Sequence, residues 1–132
     1  MRVTTLRLLF VGFLLFAVVS LTPRPKAAGA PAPAAETRCG WFDNPTPANA
    51  SLHDREGEWV IAVQGGHQAE GDWPDFGPKQ WVETNGHHGY GCACMTVEVN
   101  RESHYVLEIK SARARPLSAC RRDKALKRWG FK

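Results

Sequence analysis

Two of the four cysteines of this chain lie two residues apart in its clearest strand pattern, and this places the strongest limit on the fold. Side chains alternate between the two faces of a β-strand, so Cys92 and Cys94 point to the same face. The residues that alternate with them are apolar: Ala93, Met95, Val97 and Val99. The stretch 85–99 therefore predicts a half-buried strand, apolar on one face and carrying sulfur on the other.

The amino-terminal residues have the three-part pattern of a secretory signal. Residues 1–7 carry two arginines and no acid, the 14-residue run 8–21 is almost wholly apolar, and prolines and small residues follow. The run is shorter than the ~20 residues that span a bilayer, which favours cleavage over an uncleaved anchor. We therefore predict a signal peptide and a processing or tether region over 1–34, cleaved between about residues 28 and 35, and export to the periplasm or beyond. A single domain is expected over 36–132, with membrane contact only through an uncleaved leader.

Export makes disulfide bonds the expected state of the four cysteines, and a domain this small is marginal without such cross-links. Two positions along a strand separate Cα atoms by about 6.6 Å with parallel side chains, which disfavours a bond between Cys92 and Cys94. Each is expected to bond to Cys39 or Cys120. Two arrangements stay open: Cys39–Cys92 with Cys94–Cys120, or Cys39–Cys94 with Cys92–Cys120.

The charge is unevenly distributed along the chain. Four of the 17 Lys and Arg residues precede residue 35, which leaves 13 against 13 Asp and Glu, so the exported part is near neutral. Residues 110–132 hold nine bases against Asp123 alone. A basic tail could contact anionic lipid, a cell-wall polymer or an acidic partner, or could simply be a solvated face. Stacking residues are not interleaved with these bases, so no nucleic-acid partner is expected.

Further strands are predicted at 58–64 and 80–84, where β-branched and aromatic residues are frequent. Residues 43–47 are rich in turn formers, and Asn85-Gly86 is a turn dipeptide that suits a hairpin into the cysteine strand. A second hairpin with a three-residue loop over 101–103 would match apolar faces. Its expected pairs are Val99 with Tyr105, Val97 with Leu107 and Met95 with Ile109.

Residues 117–129 are predicted to form a helix with Ser118 as its N-cap and Gly130 just past its end. Cys120 would lie in its first turn, so a disulfide would hold the helix on the sulfur-bearing face of the strand, where Leu126 and Trp129 could pack. The expected fold is α+β: a small antiparallel sheet with a C-terminal helix, stapled by two disulfides.

The stretch 67–79 has neither helical nor strand periodicity, and long irregular loops in small domains are often functional. Trp73 beside Asp75, with His67 at the start of the loop, would suit stacking on and hydrogen bonding to a sugar or a peptide. The competing interpretation is that Trp73 and Phe76 fold back to fill a small core.

Two alternatives come from other classes of protein. His87, His88, Cys92 and Cys94 could bind a metal if the cysteines were reduced, but the spacing lacks a metal-binding motif, so no metal or other cofactor is expected. A small hydrolase could use His53 or His67 with nearby carboxylates, although no catalytic motif is present. It would need one of these histidines within hydrogen-bond reach of a carboxylate in a concave site.

Several motifs resemble those of an uncharacterised bacterial family of small exported proteins, the domain-of-unknown-function family numbered four thousand and eighty-seven. They are R-C-G-W-F-D-N-P-T-P at 38–47, E-W at 58–59, Q-G-G at 64–66, E-G-D-W-P at 70–74, G-Y-G-C-A-C at 89–94 and S-A-R-A-R-P-L-S-A-C at 111–120. The resemblance covers about 37–127 and implies one complete domain without implying an activity. We therefore expect a non-catalytic exported binding module whose partner is an unknown protein or an envelope glycan.

Overall fold

The computed structural model describes residues 33–132, so the predicted signal peptide and tether, apart from residues 33 and 34, lie outside the described residues. Six strands are followed by two short helical segments at the carboxyl end. The elements are β1 Glu36–Thr46, β2 Asn49–His53, β3 Glu58–Ala62, β4 Trp81–Asn85, β5 His88–Asn100, β6 Tyr105–Arg115, α1 Leu117–Arg122 and a 3-10 helix Lys124–Trp129. Within residues 33–132, no helix is long and apolar enough to cross a membrane.

Five of the strands close into a barrel. The strands follow the order β1-β2-β3-β6-β5, and a long antiparallel pairing of β5 with β1 closes the ring. On the edge of β5 that faces β6, β4 pairs with the first residues of β5, 88–91, and β6 pairs with the rest. β3 meets β6 in parallel at Val60 and Tyr105, while the other paired strands are antiparallel. This connectivity is that of the small Greek-key barrels known as OB folds. The predicted sheet, C-terminal helix and two disulfides are confirmed; the closure into a barrel was not predicted.

The alternation predicted for the cysteine strand is confirmed along β5. Ala93, Met95, Val97 and Val99 are buried inside the barrel, whereas Thr96 and Glu98 on the other face are only half-buried. Facing residues from the other strands complete this core, which includes Phe42, Leu52, Trp59, Ile61, Val106 and Ile109. The barrel interior is therefore filled by side chains rather than open.

β1 continues through the residues that were expected to be turn-rich. Its pairing with β5 extends to Asn44, and the turn falls later, around Ala48, whose φ is +56°. Pro45 lies at an irregularity in the pairing with β2, where its missing N–H costs no regular ladder bond. Pairing along both edges of β1 thus outweighs the local preference for a turn.

The predicted register of the second hairpin is wrong. The loop spans the four residues 101–104, with His104 at a φ of +58°, and two irregularities place Leu107 and Lys110 as extra residues on β6. The extra residue between Val106 and Ile109 lets both point into the core, although Leu107 is 37% exposed. The observed pairs are Asn100 with Tyr105, Val99 with Val106, Val97 with Ile109 and Met95 with Ala112.

The single helix predicted over 117–129 is also wrong, because it is interrupted at Asp123. Pro116 occupies the N-cap position of α1 without a side-chain cap, so Ser118 is not the cap. Asp123 is extended, and its carboxylate accepts a hydrogen bond of 2.9 Å from the Ala125 N–H, which begins the 3-10 helix. Gly130, at a φ of +75°, ends that helix as predicted.

One end of the barrel is closed by an ion network around Arg38, which is 4% exposed. The guanidinium lies 3.6 Å from the centre of the Trp59 ring and donates to Asp54 at 2.5 Å, to Glu36 at 2.7 and 2.9 Å, and to Glu56 at 2.9 Å. Burial acts to lower the pKa of Arg38, but the hydrogen bonds to the three carboxylates outweigh it and raise that pKa. Arg38 is therefore a buried, charged residue with a structural role at this end of the barrel.

Candidate functional site

The other end of the barrel is closed by the irregular loop that follows β3. The ring centres of Trp73 and Phe76 lie 5.6 and 5.7 Å from that of Phe42, whose side chain belongs to the barrel core. Trp81, at the start of β4, completes the cluster at 6.4 Å from Phe42. The loop thus covers this end of the barrel, and we call its aromatic residues Trp73 and Phe76, together with Trp81, the cap. The cap residues pack on the core and remain half-exposed.

Two glycines of β5 let this cap approach the sheet. A Cβ atom at Gly91 would lie 2.4 Å from Cε1 of Phe76 and 2.7 Å from the carbonyl oxygen of Gln80. At Gly89 it would lie 1.9 Å from the carbonyl oxygen of Val82. Because real Cβ atoms do not tolerate such distances, only glycine allows the Phe76 ring and β4 to rest directly on the β5 backbone.

The result is an open depression of about 540 Å³ on the outer side of the cap, which we call the aromatic depression. It is lined by Phe76, Gly77, Pro78, Trp81 and Glu83. The ring centres of Phe76 and Trp81 are 4.9 Å apart, and the indole N–H of Trp81 donates to the carbonyl of His87 at 3.2 Å. These contacts hold two ring faces in place beside an exposed carboxylate, before any ligand is present.

Aromatic faces of this kind can stack against the C–H surface of a sugar or an apolar side chain, because they offer a large area at low entropic cost. The carboxylate of Glu83 can accept hydrogen bonds from hydroxyl or amide groups. Among the ion pairs formed within residues 33–132, none involves Glu83. The depression therefore combines an apolar platform with one free acceptor.

The residues predicted for ligand binding are distributed over different contacts. Trp73 packs on Phe42, while Asp75 is exposed. The ring of His67 stacks on Tyr105, with ring centres 4.6 Å apart, and its Nε2 atom lies 2.7 Å from the carbonyl oxygen of Val106. His67 is thus held against β6, while Trp73 serves the cap.

The structure selects one of the two disulfide arrangements that the sequence left open. Cys39 is bonded to Cys94, its direct partner across β1 and β5, and Cys92 is bonded to Cys120 of α1. All four cysteines are therefore oxidised, and no thiolate remains to bind a metal. Nor does the described part of the chain, 33–132, hold a group of three or more His, Cys, Asp or Glu side chains placed to share a metal ion.

The second disulfide anchors residues 117–132, the C-terminal arm, on the outside of the barrel. Cys120 and Leu126 pack with Trp41, Tyr90 and Cys92 in a second buried cluster. The predicted packing of Leu126 and Trp129 on the sulfur-bearing side of the strand is confirmed. The backbone of Lys132 is held by the Tyr90 hydroxyl, which donates to its carbonyl oxygen at 2.9 Å.

The arm also covers His53, one of the two histidines considered for catalysis. The rings of Trp129 and Phe131 lie 4.8 and 5.2 Å from that of His53, which is 9% exposed. Its Nε2 atom is 3.9 Å from a carboxylate oxygen of Asp43, beyond the hydrogen-bond reach of about 2.6–3.2 Å expected of a general base and its partner. Within residues 33–132 no hydrogen bond joins His53 or His67 to a carboxylate, so the hydrolase alternative gains no support here.

Trp81 and Glu83 are not among the residues predicted from the sequence to bind a ligand. A signal was nevertheless present, because Gly89 and Gly91 sit within a strand where glycine is unfavourable without a close contact. That contact could not be assigned to Phe76 without the path of the loop. The aromatic depression therefore forms only because the loop after β3 and the start of β4 pack on the backbone of β5.

Fold and contacts together define a small, disulfide-linked β-barrel domain with an aromatic cap and an attached C-terminal arm. The chain belongs to the family DUF4087, described as a protein of unknown function, whose model matches residues 33–127. The predicted family is confirmed, and the match covers the cap, both disulfides and most of the arm. Neither a curated protein nor a solved structure matches this chain.

Proposed function

We propose that this protein is an exported, non-catalytic binding module that takes a sugar unit of an envelope glycan in the aromatic depression. The observation that carries the proposal is the placement of Phe76 and Trp81, whose half-exposed rings stand beside the free carboxylate of Glu83. A sugar ring would stack on the indole and donate a hydroxyl hydrogen bond to Glu83.

Export is part of the same proposal. Two disulfides in a domain of this size are typical of proteins that fold in an oxidising compartment, and the amino-terminal sequence has the pattern of a secretory signal. An envelope or extracellular location would place the domain among glycans.

The test is a titration of the protein, purified as its host exports it, with a soluble tetramer of N-acetylglucosamine. Chemical shifts of the five tryptophan indole N–H groups report contact separately. We expect the Trp81 signal to move most, and Glu83→Gln to weaken binding by roughly tenfold, the loss typical of one well-placed polar contact. Glu102→Gln, an equal change on an exposed loop residue, is the matched control and should bind like the parent protein.

A double variant, Trp73→Ala with Asp75→Ala, separates this site from the one predicted from the sequence. Loss of binding in that double variant with no effect of Glu83→Gln would move the site to the tip of the loop. Absence of any indole shift with this tetramer, and with peptidoglycan fragments released by a muramidase, would refute glycan binding at the depression. A cationic peptide that shifts Trp81 while both glycans fail would point to a protein partner instead.

A further inference from the structure

A second surface, over the outer faces of β1, β5 and β6 around the disulfide Cys39–Cys94, carries unpaired positive charge. Ser111, Arg113 and Arg115 alternate with half-buried alanines along β6, so all three point outward. The residues facing them across the sheet are also outward-pointing. Thr37 of β1, Thr96 of β5 and Ser111 form one cross-strand row; Cys39, Cys94 and Arg113 form the next.

These residues line a groove of about 360 Å³ that runs over β1, β5 and β6. Its walls offer hydroxyl groups from Thr37, Thr96 and Ser111 and the guanidinium of Arg113. Thr37 and Thr96 are close enough for their hydroxyl oxygens to be 3.5 Å apart. Hydroxyls beside a guanidinium are donors suited to carboxylate or phosphate oxygens, since charge-assisted hydrogen bonds are shorter and stronger than neutral ones.

The C-terminal arm extends this charge. Arg115 and Asp123 line the same cavity, together with Ala119 and Cys120 of α1, although the two charged groups form no salt bridge. Arg128, although exposed, donates to the carbonyl oxygens of Asp54 and Arg55. Arg121 donates to the carbonyl oxygen of Lys132, the last residue, at 3.0 Å. The basic face is our name for six exposed bases of β6 and the arm, taken together: Arg113, Arg115, Arg121, Arg122, Lys124 and Lys127. Within residues 33–132, no member of the basic face makes a salt bridge, and Asp123, the acid of the arm, is paired with Arg55 at 3.2 Å.

Lys110 marks where the basic face ends. It contacts Glu98 at 3.0 Å and Glu108 at 2.8 Å, so its charge is already balanced at the far end of β6. The uncompensated charge is therefore concentrated from Arg113 onward. Because positions two apart on a strand are separated by about 6.6 Å, Arg113 and Arg115 can contact successive charges of a linear polymer.

We propose that the basic face and its hydroxyl groove bind an anionic polysaccharide, a glycan chain that carries carboxylate or phosphate groups. The large hydrophobic side chains exposed in the described residues are Val63 and Leu107, and neither lines the groove. Stable attachment to a bilayer surface needs buried apolar area in addition to charge, which argues for a soluble polyanion over a membrane. Stacking rings, which single-stranded nucleic acids require, do not line this groove either.

The full chain, purified as its host processes it, should bind alginate, a polymer of uronic acids, and should not bind neutral dextran. Arg113→Gln with Arg115→Gln is expected to weaken alginate binding about tenfold, the combined effect of two exposed charge contacts. The affinity of the parent protein should fall steeply with salt concentration, and more steeply than that of the double variant, because fewer counterions are released when two contacts are missing. Isothermal titration calorimetry at several salt concentrations measures both quantities.

Lys79→Gln with Arg101→Gln removes the same net charge outside the basic face and is the matched control. An equal loss in the control would show that net charge alone drives binding and would overturn the proposal. So would failure of the parent protein to bind alginate, or tighter binding to vesicles containing phosphatidylglycerol with the same dependence on Arg113 and Arg115. The aromatic depression and the basic face share no residue, so either proposal can fail while the other holds.

Discussion

The two disulfides are predicted to contribute unequally to stability, with Cys92–Cys120 the more important. Two double variants test this: Cys92→Ala with Cys120→Ala, and Cys39→Ala with Cys94→Ala. Each removes one cross-link and leaves the other bond with its native partners. Alanine is chosen because a serine hydroxyl at a buried position would lack a hydrogen-bond partner.

Loop length alone gives the opposite order. The bonds join residues 55 and 28 positions apart, for which the unfolded-chain model gives about 4.2 kcal/mol for Cys39–Cys94 and about 3.6 kcal/mol for Cys92–Cys120. Burial reverses this small difference. Cys92 and Cys120 are each 3% exposed, and truncating two buried sulfurs costs roughly 1 kcal/mol apiece, whereas Cys39 is exposed.

The bond from Cys92 to Cys120 also anchors the C-terminal arm, which covers Trp41. We therefore expect its loss to lower the free energy of unfolding by about 5–6 kcal/mol, against about 4 kcal/mol for the other pair. Since domains of this size have a total of about 5–15 kcal/mol, the first variant should lose at least about a third of the free energy of unfolding.

Urea unfolding followed by circular dichroism measures both values, and the near-ultraviolet signal of the tryptophans reports the packing of the arm. The reduced parent protein serves as the control in which both bonds are absent. Equal losses, or a greater loss in the Cys39 and Cys94 variant, would refute the reasoning that burial and anchoring outweigh loop length.

The remaining predictions concern the two ends of the barrel. Arg38→Met should destabilise the domain by about 3–5 kcal/mol, because it leaves a buried carboxylate without its cation, whereas Arg101→Met at an exposed pair should cost less than about 1 kcal/mol. Because the pKa of Arg38 is raised, its contribution to the free energy of unfolding is lost only when the pH rises through that folded-state pKa. Thermal melts between about pH 6 and 9 should therefore show a constant difference in melting temperature between Arg38→Met and the parent protein. Gly91→Ala should cost about 1–3 kcal/mol by displacing Phe76, while Gly66→Ala, with no atom closer than 3.7 Å, should be near neutral; chemical denaturation checks both, and equal effects would contradict the close-contact argument.

Local sequence was sufficient for the elements in which one physical signal dominates. The alternation of Ala93, Met95, Val97 and Val99 is kept in β5, because the strand is more deeply buried on that face. The same alternation disfavoured a bond between Cys92 and Cys94, and the structure has none. The turn at Gly86 follows from the left-handed backbone that glycine adopts there, at a φ of +58°.

The register of β5 with β6 could not be obtained in the same way. Matching apolar faces assumes uninterrupted strands, but the extra residues Leu107 and Lys110 change which side chains point inward. The core holds Val106, while Leu107 is 37% exposed. Similarly, the break at Asp123 reflects a local carboxylate cap competing with helix continuation in an arm already fixed by Cys120.

The two proposed binding surfaces depend even more on the tertiary structure. Trp73 and Trp81 look alike in the sequence and both pack near Phe42, yet only Trp81 also lines the aromatic depression. The basic residues were visible as a run in the sequence. Their alignment with Thr37 and Thr96 required the pairing of three strands that are distant along the chain.

The resemblance of several sequence motifs was enough to indicate the family. Strand periodicity and the small size of the domain, which involve no long-range contacts, were enough to predict the half-buried cysteine strand and the need for cross-links. The tertiary structure decided which cysteines pair, that the sheet closes into a barrel and which aromatic faces remain exposed. Those outcomes depend on contacts between β1, β5 and the C-terminal arm, which are separated by tens of residues. The pairing of β1 with β5 sets Cys39 opposite Cys94, and the packing of the arm brings Cys120 to Cys92. Both contacts form only when the whole domain folds.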